Sequence, residues 1–280
     1  LQGCNFRCLY CANPDTIEAC GGKPTEAAEI LRMAVDQKPF FGRRGGVTFS
    51  GGEPTFQAAE LLPLVRMLKE AGIHVCLDSN GGVWNPVVEE LLGEVDLVLL
   101  DVKQITPERH RQLTGRENTQ TLRTAAWLEE HAKPFWLRYV LVPGYSDAEE
   151  DIRALGERLG GYRMIERVEL LPYHTLGVHK YEAMGLEYRL RDVRENTPEQ
   201  TDRAAALLRE YFATVLVNCR PRLPKRKKQP GNKPGCFCIT GTASTARRSH
   251  RRRSSRRGCR RCAPHSGCSA PRPHRRRQRS

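Results

Sequence analysis

Cys4-Asn5-Phe6-Arg7-Cys8-Leu9-Tyr10-Cys11 stands at the head of the chain, and its spacing is C-x3-C-x2-C. Three thiolates in one loop can hold three corners of a cubane iron–sulfur cluster. The fourth iron then lacks a protein ligand and stays open to another molecule. Zinc is the competing reading. Structural zinc sites want four ligands, usually as two Cys/His pairs on separate turns, and Cys20 is the only other early cysteine. Gly3 and Asn5 lead into no helical pattern, so the run reads as a loop.

Beyond this loop the chain alternates short apolar runs with helix-like segments. Val47-Thr48-Phe49 reads as a strand that ends at Ser50-Gly51-Gly52-Glu53. Helical spacing over 58–71 places Leu61, Leu62, Leu64, Val65 and Leu68 on one side. Residues 74–78 form the next strand and 85–92 the next helix, with Pro86 suited to its first turn. Strands follow at 96–101, 135–142 and 167–171, and helices at 121–131, 148–159 and 198–211. This alternation builds a parallel sheet with right-handed crossovers. The count favours a curved partial barrel over a full eightfold one. Periodicity alone leaves a doubly wound sheet open as well.

The ordered motifs decide between them. The triad with Tyr10 before its last cysteine resembles the radical S-adenosylmethionine (SAM) enzymes. Cys11-Ala12-Asn13-Pro14-Asp15-Thr16, Ser50-Gly51-Gly52-Glu53, Leu77-Asp78-Ser79-Asn80-Gly81 and Leu171-Pro172-Tyr173-His174-Thr175-Leu176-Gly177 are similar to motifs of the glycyl-radical-enzyme activases, most of all the pyruvate formate-lyase type. The resemblance runs from Leu1 to about Val217. It implies an α/β fold, a partial (βα)6 radical-SAM barrel with its chemistry at the C-terminal strand ends. It also implies a segment ahead of the cluster loop that supplies the first strand. This chain starts inside that loop, so the barrel is expected to lack its first strand and to be less stable for it. Residues 1–217 are expected to be the core and 218–280 a separate basic tail.

The same resemblance implies one 4Fe–4S cluster on Cys4, Cys8 and Cys11, with SAM on the open iron. Reductive cleavage of SAM would give a 5′-deoxyadenosyl radical that takes a hydrogen from a glycine of the partner enzyme. Tyr10 would lie against the adenine, although a core tyrosine is the bland alternative. Ala12 stands where many activases carry His, leaving a backbone contact. Gly52 would meet the SAM amino group, since glycine lets backbone approach a ligand closely. Asp101, Val102 and Lys103 would line the same site, Lys103 as a point cation for a carboxylate. Asp78, Ser79 and Asp101 are oxygen ligands at neighbouring strand ends and suit a monovalent cation. His174 would contact SAM from the last strand, and Arg138 the SAM carboxylate or the partner's loop. His179 and Lys180 are candidates for partner contact. A flavodoxin- or ferredoxin-like electron donor and a monomeric state complete the expectation. Only Cys20 lies between Cys11 and Gly51, which argues against an inserted ferredoxin-like domain. Another single-cluster radical SAM enzyme, acting on a small molecule or on another glycyl radical enzyme, is the alternative.

Charge splits the chain in two. Of a formal +14, residues 219–280 contribute +21 with no Asp or Glu, and the body is −7. The tail, rich in Arg, Ser and Pro, is expected to be disordered, as a natural extension or an out-of-frame one. Arg251-Arg252-Arg253 and Arg275-Arg276-Arg277 raise a nucleic-acid reading, but Phe237 is the only aromatic residue beyond Phe212, which argues against base stacking. Cys259 and Cys262 raise zinc without a second pair. No apolar run approaches the ~20 residues of a membrane span. A free-thiol triad fits a reducing compartment: the cytoplasm, or an organelle if a targeting segment is missing from the N-terminus.

Overall fold

The computed structural model describes residues 1–43, 45–218 and 237–239. The expectations for a disordered, polyanion- or zinc-binding tail concern residues outside these, apart from one short strand at Phe237–Ile239.

Among the described residues the α-helices and strands follow in chain order: β1 (Lys23–Thr25), α1 (Ala27–Gln37), β2 (Gly46–Phe49), α2 (Ala58–Glu70), β3 (His74–Ser79), α3 (Pro86–Glu94), β4 (Leu97–Asp101), α4 (Pro107–Thr114), α5 (Thr119–Glu130), β5 (Phe135–Leu141), α6 (Glu149–Leu159), β6 (Ile165–Pro172), α7 (Val178–Met184), α8 (Pro198–Arg209), β7 (Val215–Val217) and β8 (Phe237–Ile239). Six strands form one sheet in the order β2-β3-β4-β5-β6-β7. Every neighbouring pair in it is parallel. β1 and β8 pair separately, also in parallel. This is the partial barrel arrangement, with each parallel step carried by a crossover.

Local chemistry places the helices. Asn85 accepts from the N–H of Val88 at 3.0 Å and Pro86 fills the first turn of α3. Thr197 and Gln200 close a reciprocal capping box on α8. α2 buries Leu61, Leu62, Leu64, Val65 and Leu68. These pack with the outer residues of the sheet, such as Val75, Leu77, Val98, Leu100, Leu137 and Leu170, into one large apolar core.

β5 shows the division most clearly. Phe135, Leu137, Tyr139 and Leu141 are buried, while Trp136, Arg138 and Val140 alternate with them and face the other way. Register then lines up charge on that second face. Asp101 pairs with Arg138 and Arg138 with Glu169. No helix among the described residues is long and apolar enough to cross a membrane.

Candidate active site

The cysteine loop is pinned along its length. Gly3 and Cys4 donate their N–H groups to the carbonyls of Thr16 and Ile17, each at 2.9 Å. Arg7 and Leu9 donate to the carbonyls of Thr114 and Leu113, at 2.7 and 2.9 Å, at the end of α4. Phe6 is buried edge-on against His110, ring centroids 5.2 Å apart. Gln2 donates to the carbonyls of Asp15, Glu18 and Cys20. A second apolar cluster, built from Leu9, Leu113, Val142, Tyr173, Tyr181, Tyr188 and Leu190, seats the loop against the last strand ends.

The Gly-Gly turn meets the loop from the other side. Gly52 donates to the carbonyl of Leu1 at 3.0 Å and Glu53 to that of Gly3 at 2.7 Å. A Cβ on Gly52 would sit 2.2 Å from the carbonyl oxygen of Gly3. The glycine is therefore required by backbone packed against backbone. Its N–H is committed within the chain, and only its remaining surface lines the cavity.

Glu53 works behind this turn. It is fully buried and accepts from Thr55 N (3.1 Å), Thr55 Oγ1 (2.7 Å), Ser79 Oγ (2.8 Å) and Asn80 N (2.7 Å). Burial pushes its carboxyl up from the ordinary range, against the pull of those four donors. The carboxylate clasps the end of β2 to the end of β3.

These contacts leave a cavity of about 620 Å³ at the C-terminal ends of the strands. Cys4, Cys8, Tyr10, Cys11, Ala12, Gly52, Asp78, Asp101, Lys103, Arg138 and His174 all line it. The three cysteines are free thiols. Burial raises all three, Cys8 to about 12, with Lys103 pulling Cys8 the other way. Lys103 donates to Asp101 Oδ2 at 2.6 Å and lies 5.9 Å from the centre of the Tyr10 ring. Burial works against its charge, but Asp101, Tyr10 and Cys8 hold it well above the usual lysine range.

Arg138 stands at the centre of the strand-end charges. It donates to Asp78 Oδ1 at 2.6 Å and lies 3.8 Å from Asp101 and 3.9 Å from Glu169. Burial opposes its charge, and Asp101 and Asp78 outweigh burial. Asp78 is raised by burial and by Asp101, despite Arg138. Ser50 Oγ donates to the second oxygen of Asp78 at 2.9 Å.

Two expected residues stand elsewhere. Ser79 turns its hydroxyl to Glu53 and away from Asp78 and Asp101, so it is not placed as a cation ligand with them. Val102 buries its side chain in the main core, because its N–H continues the sheet to the carbonyl of Arg138 at 3.1 Å. Lys180 is also used internally, donating to Asn13 Oδ1 at 2.8 Å and Asp15 Oδ1 at 2.9 Å. Glu53, Asn80 and Glu169 carry more of the site than their sequence positions suggested. Glu53 and Asn80 left a signal as members of the Ser50–Glu53 and Leu77–Gly81 motifs, and Glu169 as a charge inside an apolar strand.

The donor set fits the expected group. The buried Tyr10 hydroxyl, Asp101 Oδ1 and Arg138 Nε have no hydrogen-bond partner among the described residues. Unpaired buried polar atoms are costly, and these three belong to cavity-lining residues, where a polar ligand would meet them. Among the described residues no three His, Cys, Asp or Glu side chains converge enough to hold one metal ion, as zinc would need. A cubane asks less, because each thiolate binds a different iron.

The radical SAM superfamily model matches residues 1–156. The chain belongs to that superfamily. It is 43% identical over 219 residues to "Pyruvate formate-lyase 1-activating enzyme" of Escherichia coli K12, spanning 77% of this chain and 89% of the relative. It is 44% identical over 200 residues to "Pyruvate formate-lyase-activating enzyme" of Staphylococcus aureus USA300, spanning 69% and 80%. Within the superfamily its family is that of the pyruvate formate-lyase activating enzymes. Among solved structures, a domain of such an enzyme from Bacteroides vulgatus matches with TM-score 0.53 at 23% identity, over 62% of this chain and 99% of that one. Streptococcus suis SuiB bound to S-adenosylmethionine matches with TM-score 0.60 at 16% identity, over 77% and 48%. At those identities the likeness is one of fold.

Proposed function

We propose that this chain is an activating enzyme that uses one 4Fe–4S cluster and SAM to place a glycyl radical on an enzyme of the pyruvate formate-lyase type. One observation carries the reading. Three free cysteines line the same cavity as Lys103 and as Asp101 and Arg138, whose Oδ1 and Nε have no hydrogen-bond partner among the described residues and suit an amino-acid headgroup. When bound, the two cofactors supply a carbon-centred radical by one-electron cleavage of the sulfonium bond. The chain's own part is to bind, orient and exclude water.

Cys4, Cys8 and Cys11 would hold the cluster. Lys103 and Arg138 present cations to a carboxylate, and Asp101 Oδ1 an acceptor to an ammonium. Tyr10 offers a flat face with a polar tip, and His174 lines the same cavity. A cavity of about 620 Å³ is within the size range of small-molecule sites. A monovalent cation beside Asp78 and Asp101 belongs to the reading on those two carboxylates only, since Ser79 is committed to Glu53. A flavodoxin- or ferredoxin-like donor, a monomeric state and a reducing cytoplasm belong to it as well.

Spin resonance of the reduced, reconstituted protein tests the cofactor part. Adding SAM should change the cluster signal, and no change would remove the open-iron argument. Adding pyruvate formate-lyase should then produce a glycyl-radical signal. A SAM-sensitive cluster with no such radical would redirect the assignment to a small-molecule substrate.

A further inference from the structure

Asn80 lies just beyond β3, only 5% exposed, and every polar group on it is engaged. Its backbone N–H goes to Glu53 Oε2 at 2.7 Å, and its carbonyl accepts from Thr121 Oγ1 at 2.7 Å. Its side-chain oxygen accepts from the N–H of Gly82 at 2.8 Å. That bond settles the orientation of the amide, because an amide nitrogen there would face another donor. The nitrogen therefore points at the cysteine loop. One of its hydrogens goes to Asn5 Oδ1 at 2.8 Å and the other reaches Cys4 Sγ at 3.8 Å. The arrangement is tightly enclosed: a Cβ on Gly82 would lie 2.5 Å from Asn5 Nδ2 and 2.9 Å from Asn80 Oδ1.

We infer that Asn80 is a positioning residue that sets the reduction potential of the cluster by donating an N–H to the sulfur of Cys4. The inference rests on the reading of Cys4 as a cluster ligand. A donor at a ligand sulfur favours the more negative, reduced cluster and raises its potential. The same amide occupies Asn5 Oδ1, which keeps that oxygen from facing the thiolate unpaired. Cys4 thereby receives a side-chain amide donor at its sulfur.

The test is redox-poised spin resonance on the anaerobically reconstituted full chain, with iron and sulfide counted in each sample. Asn80→Leu removes the donor and is expected to retain the cluster while moving its midpoint to more negative potential. The reduced fraction at a fixed dithionite poise then falls. Asn80→Asp keeps the shape and the Gly82 bond, and replaces the donor with a negative charge. It should shift further in the same direction, and it decides the matter if the Leu variant assembles no cluster. A retained cluster with an unmoved midpoint, whatever the melting temperature does, overturns the inference. Wild-type protein that takes up no cluster, or a Cys4→Ala variant with an unaltered cluster spectrum, would instead overturn the ligand reading beneath it.

Discussion

Leu137 and Arg138 are neighbours on β5, yet one is sealed among apolar side chains and the other lies among carboxylates at the cavity. The outer face of the sheet is held by area removed from water, which is non-directional and tolerant of substitution. The inner face holds Asp78, Asp101 and Glu169 against Arg138. Arg167 adds a bond to Glu169 at 2.5 Å and stacks over Trp136, 3.2 Å from the ring centre. Such charges are tolerated only while each has its partner. A sheet can thus be robust on one side and finely poised on the other, and the poised side is where a polar cofactor is to be gripped.

The sharpest break in this comparison comes from the loop above both faces. Replacing Cys4, Cys8 or Cys11 by Ala should abolish cluster incorporation, read as loss of the brown chromophore and of bound iron. The melting temperature of the metal-free protein should hardly move, since no thiol carries the core. Next comes Arg138→Met, which leaves Asp78 without its cation and takes one of two from Asp101 and Glu169, which keep Lys103 and Arg167. It should cost about 3–5 kcal/mol in a denaturant titration. The loss should shrink as pH falls. Asp78 is already raised above the ordinary carboxylate range in the folded state. A carboxyl with a raised folded pKa destabilises as pH climbs through that value and is relieved below it. A variant whose deficit grew on acidification would contradict the charge argument.

Leu137→Ala probes the other face and should cost about 2–5 kcal/mol, with no dependence on pH between 5 and 8, a window taken from the usual stability plateau. If its loss tracked pH as Arg138→Met does, the two faces would not be independent. Glu53→Gln is a smaller change of about 1–3 kcal/mol. The amide can satisfy either the Thr55 and Ser79 donors or the N–H of Asn80, but not both. Asn85→Ala removes only the cap of α3 and should cost about 1 kcal/mol, by thermal melting, without touching the site.

Much of the outer architecture was legible because apolar spacing reports it directly. The helix at 58–71 and the strands at 74–78, 96–101 and 135–142 reappear within a residue or two. α1 and α4 escaped such a reading. α1 buries only Ala34, and α4 only His110, Leu113 and Thr114, so neither carries a strong apolar stripe. For α4 the signs were at its ends, Pro107 in the first turn and Gly115 in the left-handed conformation. Asn80 shows the same limit at the site. It stands in the Asp78-Ser79-Asn80 motif, but nothing in the chain order says that its amide reaches Cys4, 76 positions away.

The order of residues by itself determined the thiol triad, the alternation of strands and helices, and the glycines where backbones touch. These follow from spacing, periodicity and the missing Cβ, all local properties. The tertiary structure alone decided that Ser79 serves Glu53, that Lys180 is spent on Asn13 and Asp15, and that Arg138 sits between Asp101 and Glu169. Those partnerships depend on strand register and on which groups share a dry space, and short-range polar forces are settled only after distant segments have met.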